Sequence, residues 1–260
     1  MPMIDADGCL LNVSVEGRHD GPTLMLSNSL GATLQMWEPQ MKALTQLFRV
    51  ISYDRRGHGK SGVPAGPYSF ERFGRDVLAI LDNLNVEKVH WCGLSMGGMV
   101  GQWLGANAPE RMDRIILANT TCYYPDPANF LNRIKVVKEG GLASVADTVI
   151  AGWLTADFRT REPEVAARIK AMLLATPVKG YLACCEALST LDQRALLPKI
   201  KSPTLMITGR HDMSTPISAG EFIRSQIPDA SLTILEAAHI SNVEQPQAFT
   251  EAVVGFLTRS

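Results

Sequence analysis

The sequence has little net charge and no long apolar run. Its 260 residues carry 25 Lys and Arg against 26 Asp and Glu, a formal net charge of −1. Nucleic acid is not an expected partner, because phosphate backbones are bound by clustered basic residues. Nowhere do about 18 apolar residues follow one another, so no membrane-spanning helix is expected. The first residues lack the basic n-region of a secretory signal, and the expected location is cytoplasmic.

The cysteines lack the spacing of common metal and redox motifs. The five cysteines are an odd number, with no CxxC pair and no histidine cluster beside them. The simplest interpretation is reduced, buried thiols and no metal site. Cys184 and Cys185 are neighbours, which leaves a vicinal disulfide or a reactive pair as the alternative.

The most informative stretch is KVHWCGLSMGG at residues 88–98. Its apolar residues predict a short buried strand, its glycines a tight turn, and the residues that follow a helix. In a G-x-S-x-G turn the serine hydroxyl is exposed, and the flanking glycines let strand and helix approach closely. Ser95 is therefore the candidate nucleophile. A five-residue motif also recurs by chance, so the alternative is an ordinary turn.

Apolar runs that alternate with helical patterns predict an α/β fold whose mostly parallel sheet is covered on both faces. The predicted strands are 9–15, 23–27, 49–53, 89–92, 114–119, 203–208 and 231–235. The predicted helices around them include 37–47, 69–84, 99–104, 217–226 and 246–257.

The pattern changes between residues 122 and 195, where no strand is predicted. Four helices fit this segment, at 127–138, 142–153, 163–174 and 177–191. We therefore expect a core made of residues 1–121 and 196–260, with 122–195 inserted after strand 114–119 as a helical cap. The cap is the expected source of substrate contacts.

The segment DRRGHGKSG at residues 54–62 has some likeness to a phosphate-binding loop. The P-loop pattern would need a glycine where Asp54 stands, so the spacing does not match. The favoured interpretation is an internal polar brace behind the Ser95 turn, formed by Asp54, Arg55 and Arg56.

Two further polar residues follow predicted strands. Asp212 comes after 203–208 and His239 after 231–235, so both are expected at the edge of the sheet that carries Ser95. A serine hydroxyl needs a base, and the base needs an acid that fixes its tautomer. The order Ser95, Asp212, His239 is the α/β-hydrolase order. Asp126 is the rival acid, and Asp212 is preferred because it lies in the short turn itself.

An oxyanion site needs two backbone amides. The residue after the nucleophile, Met96, supplies one, and the loop after strand 23–27 supplies the other through Leu30. The alternative for residues 28–31 is a plain strand-to-helix turn.

Taken in order, the motifs LMLSNSLGATLQMWEP, DRRGHGKS, GLSMGG, TGRHD and AHISNVEQP resemble the α/β-hydrolase superfamily over essentially the whole chain. Within it the chain is similar to the 3-oxoadipate enol-lactonases of the β-ketoadipate branch of aromatic catabolism. Asn28 and Ser29 carry that similarity, since many superfamily members have His-Gly there. The resemblance implies hydrolysis of a small carboxylated enol-lactone to 3-oxoadipate through an acyl-enzyme on Ser95, with no cofactor.

A carboxylated substrate should meet a cation or strong donor in the cap. Arg133 is the first candidate, with Lys135 and Lys138 as rivals, Trp153 as a wall or indole donor, and Ser29 as a contact from the oxyanion loop. Each of the three charges equally fits a solvated helix face.

Two other functions stay open. A broad carboxylesterase or a C–C bond hydrolase would use the same triad, and a non-catalytic ligand sensor could retain it. Ser95 argues against the dehalogenases and epoxide hydrolases of this fold, which use an aspartate nucleophile. The sequence leaves the oligomeric state open.

Overall fold

The computed structural model describes residues 2–259, and its centre is an eight-stranded sheet. Along the chain the strands are β1 (Met3–Asp5), β2 (Leu10–Gly17), β3 (Thr23–Ser27), β4 (Arg49–Tyr53), β5 (Val89–Leu94), β6 (Met112–Ala118), β7 (Thr204–Gly209) and β8 (Ala230–Leu235). Across the sheet their order is β1-β2-β4-β3-β5-β6-β7-β8. The strand β5 therefore lies in the interior of the sheet, between β3 and β6.

Strand direction decides where the connecting loops meet. The strand β2 pairs antiparallel with β1 and β4, whereas every other pair in the sheet is parallel. Parallel neighbours need crossover connections, so their carboxyl ends lie at one edge of the sheet. The prediction of a mostly parallel sheet is confirmed, and the loops after β3, β5, β7 and β8 meet at that edge.

Helices cover both faces of the sheet. They are α1 (Glu38–Leu47), α2 (Phe70–Asn83), α3 (Met96–Asn107), α4 (Ala128–Gly140), α5 (Ala143–Trp153), α6 (Ala156–Arg161), α7 (Pro163–Leu174), α8 (Val178–Ser189), α9 (Ile217–Gln226), α10 (Ser241–Glu244) and α11 (Pro246–Leu257). Short 3-10 helices lie at Leu34–Trp37, Pro109–Arg111 and Arg194–Lys199. The start of α2 shows how local sequence sets a helix boundary, because Ser69 Oγ accepts a hydrogen bond from the Arg72 amide.

Five helices, α4 to α8, lie between β6 and β7, and we call them the cap helices. The prediction of four helices there omitted α6. That helix has six residues, too few to display an apolar period. The other four begin and end within about two residues of their predicted bounds, the accuracy expected of helix ends. The division of the chain into a core and a cap domain stays a prediction.

Two other short elements were not predicted. The strand β1 has three residues and α10 has four, and neither length can show a periodic pattern. Among residues 2–259 no single helix is long and apolar enough to cross a membrane. The helices α7 and α8 meet that requirement only as a pair, and the pair is bent by 90°.

The strand β5 and the cysteines lie in the interior. All six residues of β5 are buried, so this strand is held firmly beneath the turn that follows it. The five cysteines are buried and form no disulfide within residues 2–259, and the reduced state of their thiols stays a prediction. Burial raises the pKa of Cys184 and Cys185 to about 12, so both thiols stay protonated at neutral pH.

Candidate active site

Ser95 occupies the turn between β5 and α3 in a conformation that side chains rarely adopt. Its φ is 57° and its ψ is −115°, and its amide donates to Ala118 O at 2.8 Å. The flanking glycines are required by close backbone approach. A Cβ on Gly93 would lie 2.2 Å from Gly97 O, and a Cβ on Gly97 would lie 2.1 Å from Ser27 O. The strained turn holds the Ser95 hydroxyl above the sheet edge.

Ser95, His239 and Asp212 form one hydrogen-bonded row. The distance from His239 Nε2 to Ser95 Oγ is 2.8 Å, and the distance from His239 Nδ1 to Asp212 Oδ2 is also 2.8 Å. Asp212 follows β7 and His239 follows β8, so the sheet topology brings together residues that are 144 positions apart. All three residues are buried. The rival acid Asp126 is exposed and accepts from the Ala128 amide instead.

The carboxylate of Asp212 is surrounded by donors. Besides His239, its Oδ2 accepts from Thr215 Oγ1 at 2.6 Å and Asn119 Nδ2 at 3.0 Å. Its Oδ1 accepts from the amides of Ser214 at 2.9 Å and Thr215 at 3.0 Å. Burial alone would raise the pKa of Asp212, but His239 and these hydrogen bonds outweigh it and lower the pKa to about 2. The carboxylate is therefore ionised at neutral pH and can hold His239 in one tautomer.

The loop after β3 is fixed from several directions. Trp37 Nε1 donates to Asn28 Oδ1 at 2.8 Å, and Asn28 Nδ2 donates to Tyr53 O at 2.8 Å. The amides of Leu30 and Met96 have no protein acceptor within residues 2–259. Both amides are therefore unengaged, as an oxyanion site requires, and their role as its donors stays a prediction.

The charged loop after β4 is the internal brace that its sequence suggested. Asp54 accepts from Asn12 Nδ2 at 2.8 Å, from the Leu34 amide at 2.9 Å and from the Lys60 amide at 3.0 Å. Arg56 forms two hydrogen bonds of 2.6 Å with Asp76. Asp54 and Arg56 are thus paired inside the protein, which agrees with a structural role for these two residues and not with phosphate binding.

A cavity of about 570 Å³ opens above Ser95 and His239. Of the residues predicted to contact substrate, Arg133, Trp153 and Ser29 line it, whereas Lys135 and Lys138 do not. Its other lining residues include Leu30, Tyr124, Asn129, Asn132, Thr148 and Tyr181. Burial raises the pKa of Tyr181 to about 12 against the opposing effect of Arg133, so its phenol is neutral.

A second cavity, of about 730 Å³, lies away from this row. Residues of α1 and α7 contribute to its lining, and neither Ser95 nor His239 is among them. Within residues 2–259 no group of three or more His, Cys, Asp or Glu side chains is arranged to hold a metal ion. The 570 Å³ cavity is therefore the candidate active site.

Comparison with known proteins agrees with this geometry. A family model described as the alpha/beta hydrolase fold matches residues 22–246. The chain belongs to the α/β-hydrolase family. This hydrolase is 41% identical to 3-oxoadipate enol-lactonase 2 of Acinetobacter baylyi over 98% of its own length and 96% of the relative's. It is 33% identical to a protein of Stutzerimonas stutzeri named as a candidate carbamate hydrolase, RutD, with 92% of each chain covered.

A solved structure has nearly the same backbone. The enol-lactonase from Burkholderia xenovorans LB400 superposes on this hydrolase with a TM-score of 0.97 at 40% identity, covering 99% of this chain and 100% of that one. The hydrolase is thus an enzyme by family and by fold.

Sequence reasoning missed Asn119, which sits at the end of β6. Its φ is +43°, in the left-handed region that asparagine tolerates better than most residues. Asn119 Nδ2 donates to Asp212 Oδ2 and to Ala238 O, and Asn119 Oδ1 accepts from Ser241 Oγ at 2.5 Å. The only available signal was its position, since it follows a buried strand as Asp212 and His239 do.

His58 supports the loop after β3, a contact that the sequence did not indicate. The Gly31 amide donates to His58 Nε2 at 2.9 Å. Burial, followed by the charge of Arg55, lowers the pKa of His58 to about 3. The ring is therefore neutral, as an acceptor nitrogen requires.

The loop that carries His239 is joined directly to the cap helices. The Ile240 amide donates to Trp153 O at 3.0 Å. Glu244 Oε2 accepts from the Ala238 amide at 2.9 Å and from the Thr155 amide at 3.3 Å. Both neighbours of His239 are thus connected to the end of α5. Ile240 is bonded directly to Trp153, and Ala238 is connected to Thr155 through Glu244.

Proposed function

We propose that this hydrolase opens 3-oxoadipate enol-lactone, a small lactone that carries a carboxylate, to give 3-oxoadipate. The observation that carries the proposal is the placement of Arg133. Its half-buried guanidinium lines the cavity that contains Ser95 and His239, and it forms no salt bridge within residues 2–259. A carboxylated lactone would present its carbonyl to Ser95 and its anion to Arg133. The similar enol-lactonases support the same substrate.

Acylation begins at the Ser95–His239 hydrogen bond. Ser95 Oγ attacks the lactone carbonyl carbon while His239 Nε2 takes the hydroxyl proton. Asp212 orients the ring and stabilises its positive charge. The negative charge that forms on the carbonyl oxygen is received by the amides of Leu30 and Met96. Trp153 and Ser29 bound the space that holds the lactone ring.

Ring opening and hydrolysis complete the turnover. Collapse of the tetrahedral intermediate breaks the ring C–O bond, and the leaving enolate stays attached to the acyl chain. The enolate takes up at carbon the proton that His239 had received from Ser95, which makes a ketone and returns His239 to its neutral form. A water molecule that gives its proton to His239 then attacks the acyl carbon and releases Ser95. These steps use no cofactor, and a cytoplasmic location stays a prediction.

A second candidate function is hydrolysis of another carboxylic ester or of a carbamate. The 33% identical protein named for carbamate hydrolysis favours this alternative, because the same three side chains could serve both reactions. A C–C bond hydrolase or a non-catalytic ligand sensor would also retain Ser95, His239 and Asp212. Arg133 favours a substrate with an anionic group over a neutral ester.

Substrate specificity tests the proposal. The purified protein is assayed on 3-oxoadipate enol-lactone, a neutral aryl acetate, a carbamate and a dienoic keto acid. We expect kcat/KM for the lactone to exceed the others by about a hundredfold or more, the scale of one well-placed ionic contact. If kcat/KM is higher for any of the other three compounds than for the lactone, the proposed substrate is wrong.

Loss of the nucleophile separates an enzyme from a sensor. Ser95→Ala should reduce lactone turnover by about a thousandfold or more while the affinity for the keto acid product is retained. A wild-type protein that binds the lactone without hydrolysing it, and binds it equally well as Ser95→Ala, would identify a sensor.

A further inference from the structure

Arg55 is a buried cation without a carboxylate partner. Only 3% of the residue is exposed, and it forms no salt bridge within residues 2–259. Its Nε and Nη1 atoms make no hydrogen bond in that part of the chain either. The next residue, Arg56, is instead paired through two hydrogen bonds with Asp76. A buried, unpaired charge is costly, so its retention calls for a function.

The remaining nitrogen of Arg55 is bound to the oxyanion loop. Arg55 Nη2 donates to Asn28 O at 2.7 Å, and the Gly97 amide donates to the same oxygen at 3.1 Å. Asn28 lies two residues before Leu30, and Gly97 lies next to Met96. One carbonyl held by Arg55 therefore joins the two segments whose amides are free to receive an oxyanion.

Arg55 acts from behind this loop and does not touch the substrate. It is absent from the cavity lining, where the basic side chain is Arg133. Its guanidinium lies 5.7 Å from the centre of the Phe73 ring, inside the core. In an interior from which water is excluded, an unneutralised cation favours negative charge that develops nearby.

We propose that Arg55 is a positioning residue for the oxyanion site. It fixes the Leu30 and Met96 segments through Asn28 O, and its charge stabilises the negative charge formed on the substrate carbonyl oxygen. The proposal rests on the proposed acyl-enzyme reaction at Ser95, but it does not depend on which ester or lactone is the substrate.

The charge of Arg55 also helps to keep His58 neutral, and neutral His58 is the second residue that supports the loop at residues 28–31. His58 accepts from the Gly31 amide only while its Nε2 is unprotonated, and Arg55 contributes after burial to its low pKa. Arg55 and neutral His58 thus hold opposite ends of residues 28–31.

Two variants separate charge from packing. Arg55→Met removes the charge and fills the space, and Arg55→Lys retains the charge. The control is Arg111→Gln, since Arg111 donates to the carbonyls of Val86 and Glu87 away from the site. Each protein is assayed with a neutral aryl acetate and titrated with phenylboronic acid, which forms an anionic tetrahedral adduct on an active serine. The melting temperature is recorded for all four proteins.

We expect Arg55→Met to lose about tenfold or more in kcat and in boronate affinity, with KM within about twofold and an unchanged or higher melting temperature. Arg55→Lys should recover most of both losses. Arg111→Gln should match wild type in kcat and in boronate affinity. The proposal is overturned if Arg55→Met keeps its kcat and boronate affinity. Should Arg55→Met fail to fold, Arg55→Lys decides the matter. The proposal is then overturned if Arg55→Lys is as stable as wild type but still loses about tenfold or more in kcat. An enzyme that cleaves the ester but not the lactone would contradict only the proposed substrate.

Discussion

Asn119 Nδ2 lies 3.0 Å from Asp212 Oδ2, and the same amide group also donates to Ala238 O at 3.1 Å. Asn119 therefore connects the end of β6 to the acid after β7 and to the residue before His239. These three loops come from neighbouring strands, and one side chain sets the distance between them.

Replacing Asn119 by Ala should weaken both catalysis and folding. The variant removes the hydrogen bond to the Asp212 carboxylate, worth about 1.5 kcal/mol, and should lower kcat/KM roughly tenfold. It also removes the contacts with Ala238 O and Ser241 Oγ and places alanine at a φ of +43°, which should lower the melting temperature. The control is Asn107→Ala, because Asn107 is exposed and its side chain donates, within residues 2–259, only to Trp103 O. Steady-state kinetics of both variants at neutral pH measure the effect. An Asn119→Ala enzyme within twofold of wild type would show that Asp212 needs no such support.

Replacing Arg133 by Leu should affect only anionic substrates. Loss of a charge-assisted contact of about 1.4 to 2.8 kcal/mol should raise KM for the carboxylated lactone ten- to a hundredfold. The neutral aryl acetate should be hydrolysed as before. Lys135→Leu is the matched control, since Lys135 is exposed on the same helix and does not line the cavity. Equal effects on both substrates would mean that Arg133 shapes the cavity rather than binding a carboxylate.

His58 should make the protein less stable as the pH falls. Its pKa is lowered to about 3 in the folded protein, against about 6.5 in the unfolded chain. Below pH 6.5 the unfolded chain binds a proton at His58, whereas the folded protein does not bind it until the pH approaches 3. The free energy of unfolding therefore falls by up to about 1.4 kcal/mol per pH unit until the pH approaches 3.

Urea unfolding at pH 7 and pH 5 measures this contribution. His58→Gln should lose about 2 kcal/mol less stability between these pH values than wild type. His19→Gln, at an exposed position, should behave as wild type. If wild type and His58→Gln lose equal stability, the ring is not buried in its neutral form.

Gly97 should not accept any side chain. Its Cβ would lie 2.1 Å from Ser27 O, a backbone atom of β3 that cannot move without shifting the sheet. Gly97→Ala should therefore cost about 3 kcal/mol or more, or prevent folding. In Gly255→Ala the new Cβ has no neighbour within 4 Å, and the helix α11 should gain about 0.5 to 1 kcal/mol. Thermal unfolding of the two variants should show shifts of opposite sign.

The sequence revealed most of the sheet and the row of three side chains, because those features have local signals. Ser95, Asp212 and His239 each follow closely on an apolar run that is long enough to recognise. Asn119 follows β6 in the same way, but its partner Asp212 is 93 positions away, and no local pattern indicates that contact.

The cap helices show the same limit. The sequence favoured Arg133 over its rivals Lys135 and Lys138, but it could not show which of the three faces the cavity. The structure separates them by the rotation of α4, whose buried residues are Phe130, Ile134 and Val137. Arg133 borders that buried stripe, so it faces the cavity, whereas the two lysines point to solvent.

The hydrogen bond from Ile240 to Trp153 limits how substrate can enter. If the carboxyl end of α5 swung outward, it would pull on the residue next to His239 and draw the imidazole away from Ser95. That side must act as the fixed wall of the entrance. Ligand exchange is therefore expected beside α4, where Asn129 and Asn132 line the cavity and are exposed, and where no hydrogen bond to the neighbours of His239 is found within residues 2–259.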